Sequence, residues 1–358
     1  MTKKRIVTLI MALVMVAVTF TACGSKNKAA DNGAKENATS TENAAKNTES
    51  SGEASVNVEG TQETEGGYIS IATGNTGGTY YPLGGAISTI LNGSNLGYTA
   101  TAQATGASVE NLQLIDKGDA EIAFVQNDVA YYAVNGIENF QGNKLDKIRG
   151  LCTLYPEVVQ IIASNDSGIE KIEDLKGKKV AVGDPGSGTE INAKQILALH
   201  GLSYDDLGKC DHLSFSEATD QIKSGQIDAA FVVAAIPSSS VTELATTYDV
   251  HLVPIDEAKA NELMEKYPYY VHLNVNPTEY RNQKDNISVV AVQSMLAVSS
   301  EMSDADAYNI CKLLFDNLDV MKESHARGGD ITLDTALDGM SIELHPGAQK
   351  FFDESAKK

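Results

Sequence analysis

Two glycine-rich segments concentrate hydroxyls and amides in a way suited to holding a small anion: Thr73-Gly-Asn-Thr-Gly-Gly-Thr79 and Gly183-Asp-Pro-Gly-Ser-Gly-Thr189. A glycine-rich turn that opens a helix presents unpaired backbone N–H groups and the positive end of the helix dipole, which suits a carboxylate or phosphate. Thr105-Gly-Ala-Ser108 is a third turn of this kind. Neither main turn contains Lys or Arg. The first lacks the GxGxxG spacing of a dinucleotide loop and the second lacks the lysine of a Walker loop, so a small anion held by amides and hydroxyls fits better than a nucleotide. The alternative is that these glycines only permit tight turns.

Residues for covalent or metal chemistry do not assemble. Ser187 sits in Pro185-Gly-Ser-Gly188, without the first glycine of a nucleophile elbow. His200, His212, His251, His272, His325 and His345 show no HxxxH pairing and read as surface or capping residues. No catalytic residue, metal ligand or cofactor is assigned. Tyr80, Tyr81, Tyr131 and Tyr132 could line a cleft with their phenols or pack plain helix faces. Gln126 and Asn127 follow a buried strand, where a strand end would meet a ligand, and Asp128 either joins them or caps the next helix.

The elements that would position these groups form an internal repeat. Tyr68-Ile-Ser-Ile-Ala72 leads into the first turn and a helical pattern to about Leu91. Lys179-Val-Ala-Val182 leads into the second turn and a helical pattern to about His200. Each unit continues with a helix ending on a glycine, Val109 to Gly118 and Glu217 to Gly225, and then a second buried strand, through Phe124 and through Phe231. Gly74 lies 109 residues before Gly183, and Phe124 lies 107 before Phe231. The near-equal offsets point to a duplicated unit, which favours a binding role for the paired turns.

Alternating strands and helices predict two α/β lobes, each with a mixed, mostly parallel sheet flanked by helices. Lobe I is placed at 67–161 plus 291–358 and lobe II at 162–290. The runs Val158 to Ala163 and Val289 to Val298 are read as hinge crossings. Ligands of open α/β sheets sit beyond the carboxyl ends of the strands, where the glycine-rich turns fall, so the lobes should face each other across a cleft.

At the N-terminus, Lys3, Lys4 and Arg5 precede an apolar run from Ile6 to Phe20 that ends at Thr21-Ala22-Cys23. This reads as a signal peptide over 1–22, with a site resembling a bacterial lipobox at which Cys23 would be lipidated. Phe20 departs from the usual Leu at the first lipobox position. Residues 24–66 are poor in apolar groups and are expected to form a disordered tether. The formal net charge of −20 argues against nucleic acid as a partner. Cys152, Cys210 and Cys311 are too scattered for metal ligation or a disulfide framework.

Ala72-Thr-Gly-Asn-Thr-Gly-Gly-Thr-Tyr-Tyr-Pro-Leu-Gly-Gly85, Thr105-Gly-Ala-Ser-Val-Glu-Asn-Leu112, Ala123-Phe-Val-Gln-Asn-Asp128 and Val182-Gly-Asp-Pro-Gly-Ser-Gly-Thr-Glu190 together resemble the TAXI family of TRAP transporter solute receptors. Leu151 to Pro156 and Leu344-His-Pro-Gly-Ala348 are also similar to that family. The resemblance implies a type 2 periplasmic binding protein fold, two-lobed with a hinge between. It further implies a small carboxylate ligand, such as glutamate, glutamine or 2-oxoglutarate, and a TRAP membrane permease as partner. Carried onto matching positions, it gives Asn75, Thr76, Gly78, Thr79, Tyr80, Gln126, Tyr155, Ser187, Gly188, Thr189 and Glu190 as ligand-binding residues. With the lipobox it implies a monomeric lipoprotein on the outer face of the membrane, in a Gram-positive cell. The competing readings are a ligand-sensing subunit of a signalling system and an enzyme on the same scaffold.

Overall fold

The computed structural model describes residues 56–281 and 283–357. The expected signal peptide, Cys23 and the tether up to residue 55 lie outside the described residues. Among those described, no helix is long and apolar enough to cross a membrane.

The chain runs β1 (Gly67–Ala72), α1 (Tyr80–Gly93), β2 (Tyr98–Gln103), α2 (Ser108–Lys117), β3 (Ile122–Gln126), α3 (Asn127–Asn135) and the long β4 (Ile148–Ser164). It continues through β5 (Lys179–Ala181), α4 (Gly188–Leu199), β6 (Lys209–Asp211), α5 (Phe215–Lys223), β7 (Ala229–Ala234), α6 (Ser239–Thr247), β8 (Val250–Leu252), α7 (Glu257–Lys266), β9 (Val271–Val275) and the long β10 (Ile287–Ser299). Three helices close it: α8 (Asp304–Asp316), α9 (Leu318–Ser324) and α10 (Pro346–Ser355).

The strands join in the order β2-β1-β3-β10-β4-β7-β5-β6, with β9 and β8 paired to β10 and β4. Parallel pairing is confined to the repeated units, β2-β1-β3 and β6-β5-β7. The two long strands bring antiparallel pairing into the middle, so the sheet is mixed. Parallel strands need crossover helices, and the repeats supply them on both faces. This explains why β4 is buried almost throughout and shows no alternation.

The first half of β4 pairs with the second half of β10, and its second half pairs with β7. Val158 faces both Ala291 and Ala234, which makes it the point where the sheet passes from one repeat to the other. The runs read as crossings therefore lie inside the two longest strands. The core follows the same division. Leu83, Ile87 and Ile90 of α1 pack with Phe124 and Leu296 on the first repeat's side, while Ile196 and Leu197 of α4 pack with Val180 and Phe231 on the second.

Residues 56–66, expected as part of a bare tether, are instead laid along α8. Asn317 accepts from the Asn57 N–H (2.7 Å) and donates to its carbonyl (3.0 Å). Asn309 does the same for Gln62, at 2.7 and 3.0 Å. Thr64 donates to Asp306 (2.6 Å), and Val56 packs on the first repeat's core. Two buried asparagines substitute for a sheet edge here, satisfying backbone that a polar segment could not pair by itself.

Candidate functional site

Both glycine-rich turns close on one small cavity of about 30 Å³, roughly the room of a single water. The local sequence dictates their shape. Gly183 has φ +100° and Gly186 +76°, backbone that side-chain-bearing residues rarely adopt. Ser187 caps α4, its hydroxyl accepting from the Glu190 N–H (3.1 Å), while the Glu190 carboxylate accepts from the Gly186 N–H (3.0 Å). At the start of α1, Thr79 makes no side-chain cap, and its buried hydroxyl has no partner. The first-turn amides of α1 and α4 lack intrahelical acceptors by geometry, so two helix N-termini aim their positive ends at this cavity.

Of the residues expected to bind ligand, Asn75, Gly78, Thr79, Tyr80, Gln126, Ser187, Gly188 and Thr189 line the cavity. Thr76, Tyr155 and Glu190 do not. Glu190 is spent on the turn that precedes α4. Tyr155 is buried within β4 with its hydroxyl unpartnered. Ala107 and Ser108, from the third glycine-containing turn, also line the cavity, and the Ser108 hydroxyl accepts from the Gln126 N–H (3.1 Å). The Gln126 amide oxygen is buried without a partner and lies against Gly188, where any Cβ would overlap it.

Two lining carboxyls were missed: Glu157 and Asp184. Glu157 is 3 % exposed, and its Oε2 accepts from the Tyr80 hydroxyl at 2.7 Å. Burial pushes its pKa up to about 8, with the nearby Asp128 charge adding to the rise; the Tyr80 hydroxyl and Gln126 amide pull it back. Asp184 is also raised by burial, and the Asn75 amide donates to it across the turns at 3.3 Å. No Lys, Arg or His lines the cavity. The signal for Glu157 was a single charge inside the apolar run Leu154 to Ala163, which reads as an ordinary strand irregularity. Asp184 was visible as the one acidic residue in either main turn.

Beside the cavity the two repeats meet along a polar seam. The Asn192 amide donates to the Asp128 carboxylate (3.0 Å) and the Tyr270 hydroxyl (2.6 Å); that hydroxyl donates to Gln195 (2.7 Å), whose amide donates to Tyr132 (3.1 Å). Asp128 thus reaches across to α4 and does not line the cavity, while the Val129 N–H in the first turn of α3 also bonds to it. Tyr131 packs against Tyr269 in a tilted pair with ring centroids 4.8 Å apart, and Tyr81 is exposed. The Val109 N–H donates to the Gly186 carbonyl (3.1 Å), a further bond between the repeats. His325 and His345 accept from backbone N–H groups two residues on, in capping roles. Cys152, Cys210 and Cys311 are free thiols.

Among solved structures, a protein of Bordetella bronchiseptica is similar with a TM-score of 0.51 and 18 % identity, covering 82 % of this chain and 84 % of that one. The periplasmic aliphatic sulphonate binding protein SsuA of Escherichia coli gives 0.46 and 14 %, covering 80 % and 82 %. PhnD1 of Prochlorococcus marinus, in complex with methylphosphonate, gives 0.48 and 10 %, covering 81 % and 99 %. The α/β architecture, a mixed sheet with flanking helices, is shared with the Bordetella bronchiseptica protein. A family model matches residues 71–355, nearly all of the described chain. The chain belongs to the NMT1-like family.

Proposed function

We propose that this protein is an extracytoplasmic solute receptor that binds a small carboxylate between its two repeats and delivers it to a membrane permease. The observation that carries this reading is the convergence, on one cavity, of two helix N-termini with buried polar atoms that have no protein partner, Thr79 Oγ1 and Gln126 Oε1. Such orphaned groups cost free energy unless a ligand satisfies them. The cavity's size means that the ligand enters when the repeats part, with lobes at 67–161 plus 291–358 and 162–290 moving about the long strands. The resemblance of the turns to TAXI receptors supports a TRAP permease as the partner, and the lipobox-like segment supports anchoring through Cys23.

An enzyme would call for a nucleophile set beside a base. Glu157 and Asp184 are titratable, but their hydrogen bonds go to a tyrosyl hydroxyl and an asparagine amide. Ser187 and Ser108 accept backbone N–H bonds. This arrangement supports binding without turnover. The test is a thermal-shift screen over amino acids, keto acids, dicarboxylates, sulfonates and phosphonates, using refolded protein free of carried-over ligand. A carboxylate at 100 times its Kd should stabilise the fold by about 2.7 kcal/mol. A response confined to sulfonates or phosphonates, or none, overturns the carboxylate reading.

A further inference from the structure

We propose that Glu157 is the specificity-determining residue of this cavity and that it selects a solute carrying an ammonium group beside its carboxylate, so that amino acids are taken and their 2-oxo counterparts refused. This rests on the receptor reading above. Its basis is a charge imbalance within the lining. The helix N-termini of α1 and α4, with the Thr79 and Thr189 hydroxyls, form a donor-rich wall suited to an anionic group. Glu157 and Asp184 each add an acceptor to the lining, with no cation there to answer them.

A buried carboxyl is normally paired with a positive group or kept neutral. Glu157 comes from the middle of β4, where the sheet passes from one repeat to the other, so its position is fixed by a strand and not by a mobile loop. The Tyr80 hydroxyl takes one of its hydrogen-bonding positions, and the Gln126 amide lies near enough to take a second. A carboxylate has about four such positions. An ammonium donates up to three hydrogen bonds and supplies the missing charge. A 2-oxo group supplies only acceptors: it can take one hydrogen bond from the protonated carboxyl, but it brings neither the three donors nor the charge of an ammonium.

The same reasoning couples binding to a proton. Burial holds the free carboxyl largely protonated at neutral pH. An incoming ammonium pairs with the ionised form, so the carboxyl proton leaves to solvent as the N–H···O bonds form, with no covalent bond made or broken.

The test compares matched pairs by titration calorimetry on the soluble chain: L-glutamate with 2-oxoglutarate, L-alanine with pyruvate, L-leucine with 4-methyl-2-oxopentanoate. At least one amino acid is expected to bind about 100-fold or more tightly than its 2-oxo partner. Its binding at pH 7 should release protons, read as a heat that depends on the ionisation enthalpy of the buffer. Glu157→Gln should collapse the ratio to within about tenfold and abolish the proton release, with its fold checked by circular dichroism. If that variant does not fold, the wild-type ratio and the proton release decide the matter. A 2-oxo acid that binds as tightly as its amino acid, or a ratio unchanged in Glu157→Gln, overturns this inference and leaves the receptor reading standing. Failure of every carboxylate to bind overturns both.

Discussion

Glu157 and Gly188 make opposite demands on the cavity, one chemical and one steric. In the ligand-free protein, a carboxyl raised from an ordinary 4.5 to about 8 by burial favours folding most at low pH. Its contribution is fully present below the unfolded pKa and is lost as pH rises from about 4.5 through about 8, because the folded state then has to hold a buried charge. Urea melts at pH 5 and pH 9 should therefore show a loss of a few kcal/mol on raising the pH, with that loss smaller in Glu157→Gln. Gly188 admits the Gln126 amide because it has no Cβ. Gly188→Ala should push that amide into the ligand's space and weaken binding at least about tenfold. Its effect on the ligand-free melting temperature should be small, since alanine suits the first turn of a helix. A large fall in melting temperature with unchanged affinity would contradict that account.

Among the elements, the segment 56–66 and α8 hold each other through Asn309 and Asn317. Replacing both asparagines by alanine leaves the backbone of exposed Asn57 to water and that of half-buried Gln62 unpaired, at a cost of about 1–3 kcal/mol for each group that water cannot reach. The expected outcome is protease cleavage within 56–66 at an enzyme concentration that leaves the parent chain intact. No change in cleavage would mean that the Val56 contact and the Thr64–Asp306 bond hold the segment without them. The second glycine-rich turn behaves differently, because its shape is set within a few residues by the positive-φ Gly183 and Gly186 and by the Ser187 cap.

For the whole molecule, most of the apolar core divides between the repeats, Ile191 of α4 packs into the cluster of α2 and α3, and a polar seam runs beside the cavity. Opening the cleft should then break seam bonds and part the Ile191 contact while leaving most of each core covered. Asp128 is the titrating member of the seam, raised to about 7 by burial and relieved only in part by the Val129 N–H and the Asn192 amide. Tyr132, Tyr270 and Tyr269 carry its influence, Glu157 is a second acid near it, and the seam's hydrogen-bonded side chains include no cation. The protonated acid favours the closed seam, and this advantage is lost as pH rises through about 7. Asp128→Asn keeps an acceptor for Asn192 and cannot ionise. Small-angle scattering at pH 8.5 without ligand should give a smaller radius of gyration for Asp128→Asn than for the parent, and the difference should vanish at pH 5.5. Equal radii at both values would show that the seam does not set the closure.

What the sequence determined lies within short stretches of chain. The two strand, turn and helix units could be read from glycine, hydroxyl and apolar spacing because those features act on their own neighbours in the chain. The same spacing picked out most of the cavity lining, since the turns and the ends of their strands carry it. The resemblance likewise pointed to the α/β fold through motifs that are local. Tertiary structure decided which distant groups face each other. Glu157 lies 77 residues from its Tyr80 partner, Asp128 lies 64 from Asn192, and Asn57 lies 260 from Asn317. A carboxyl in an apolar strand looks the same in sequence whether it meets solvent, a cation or a closed cavity. Only packing around it determines its charge, and with that the solute the cavity can accept.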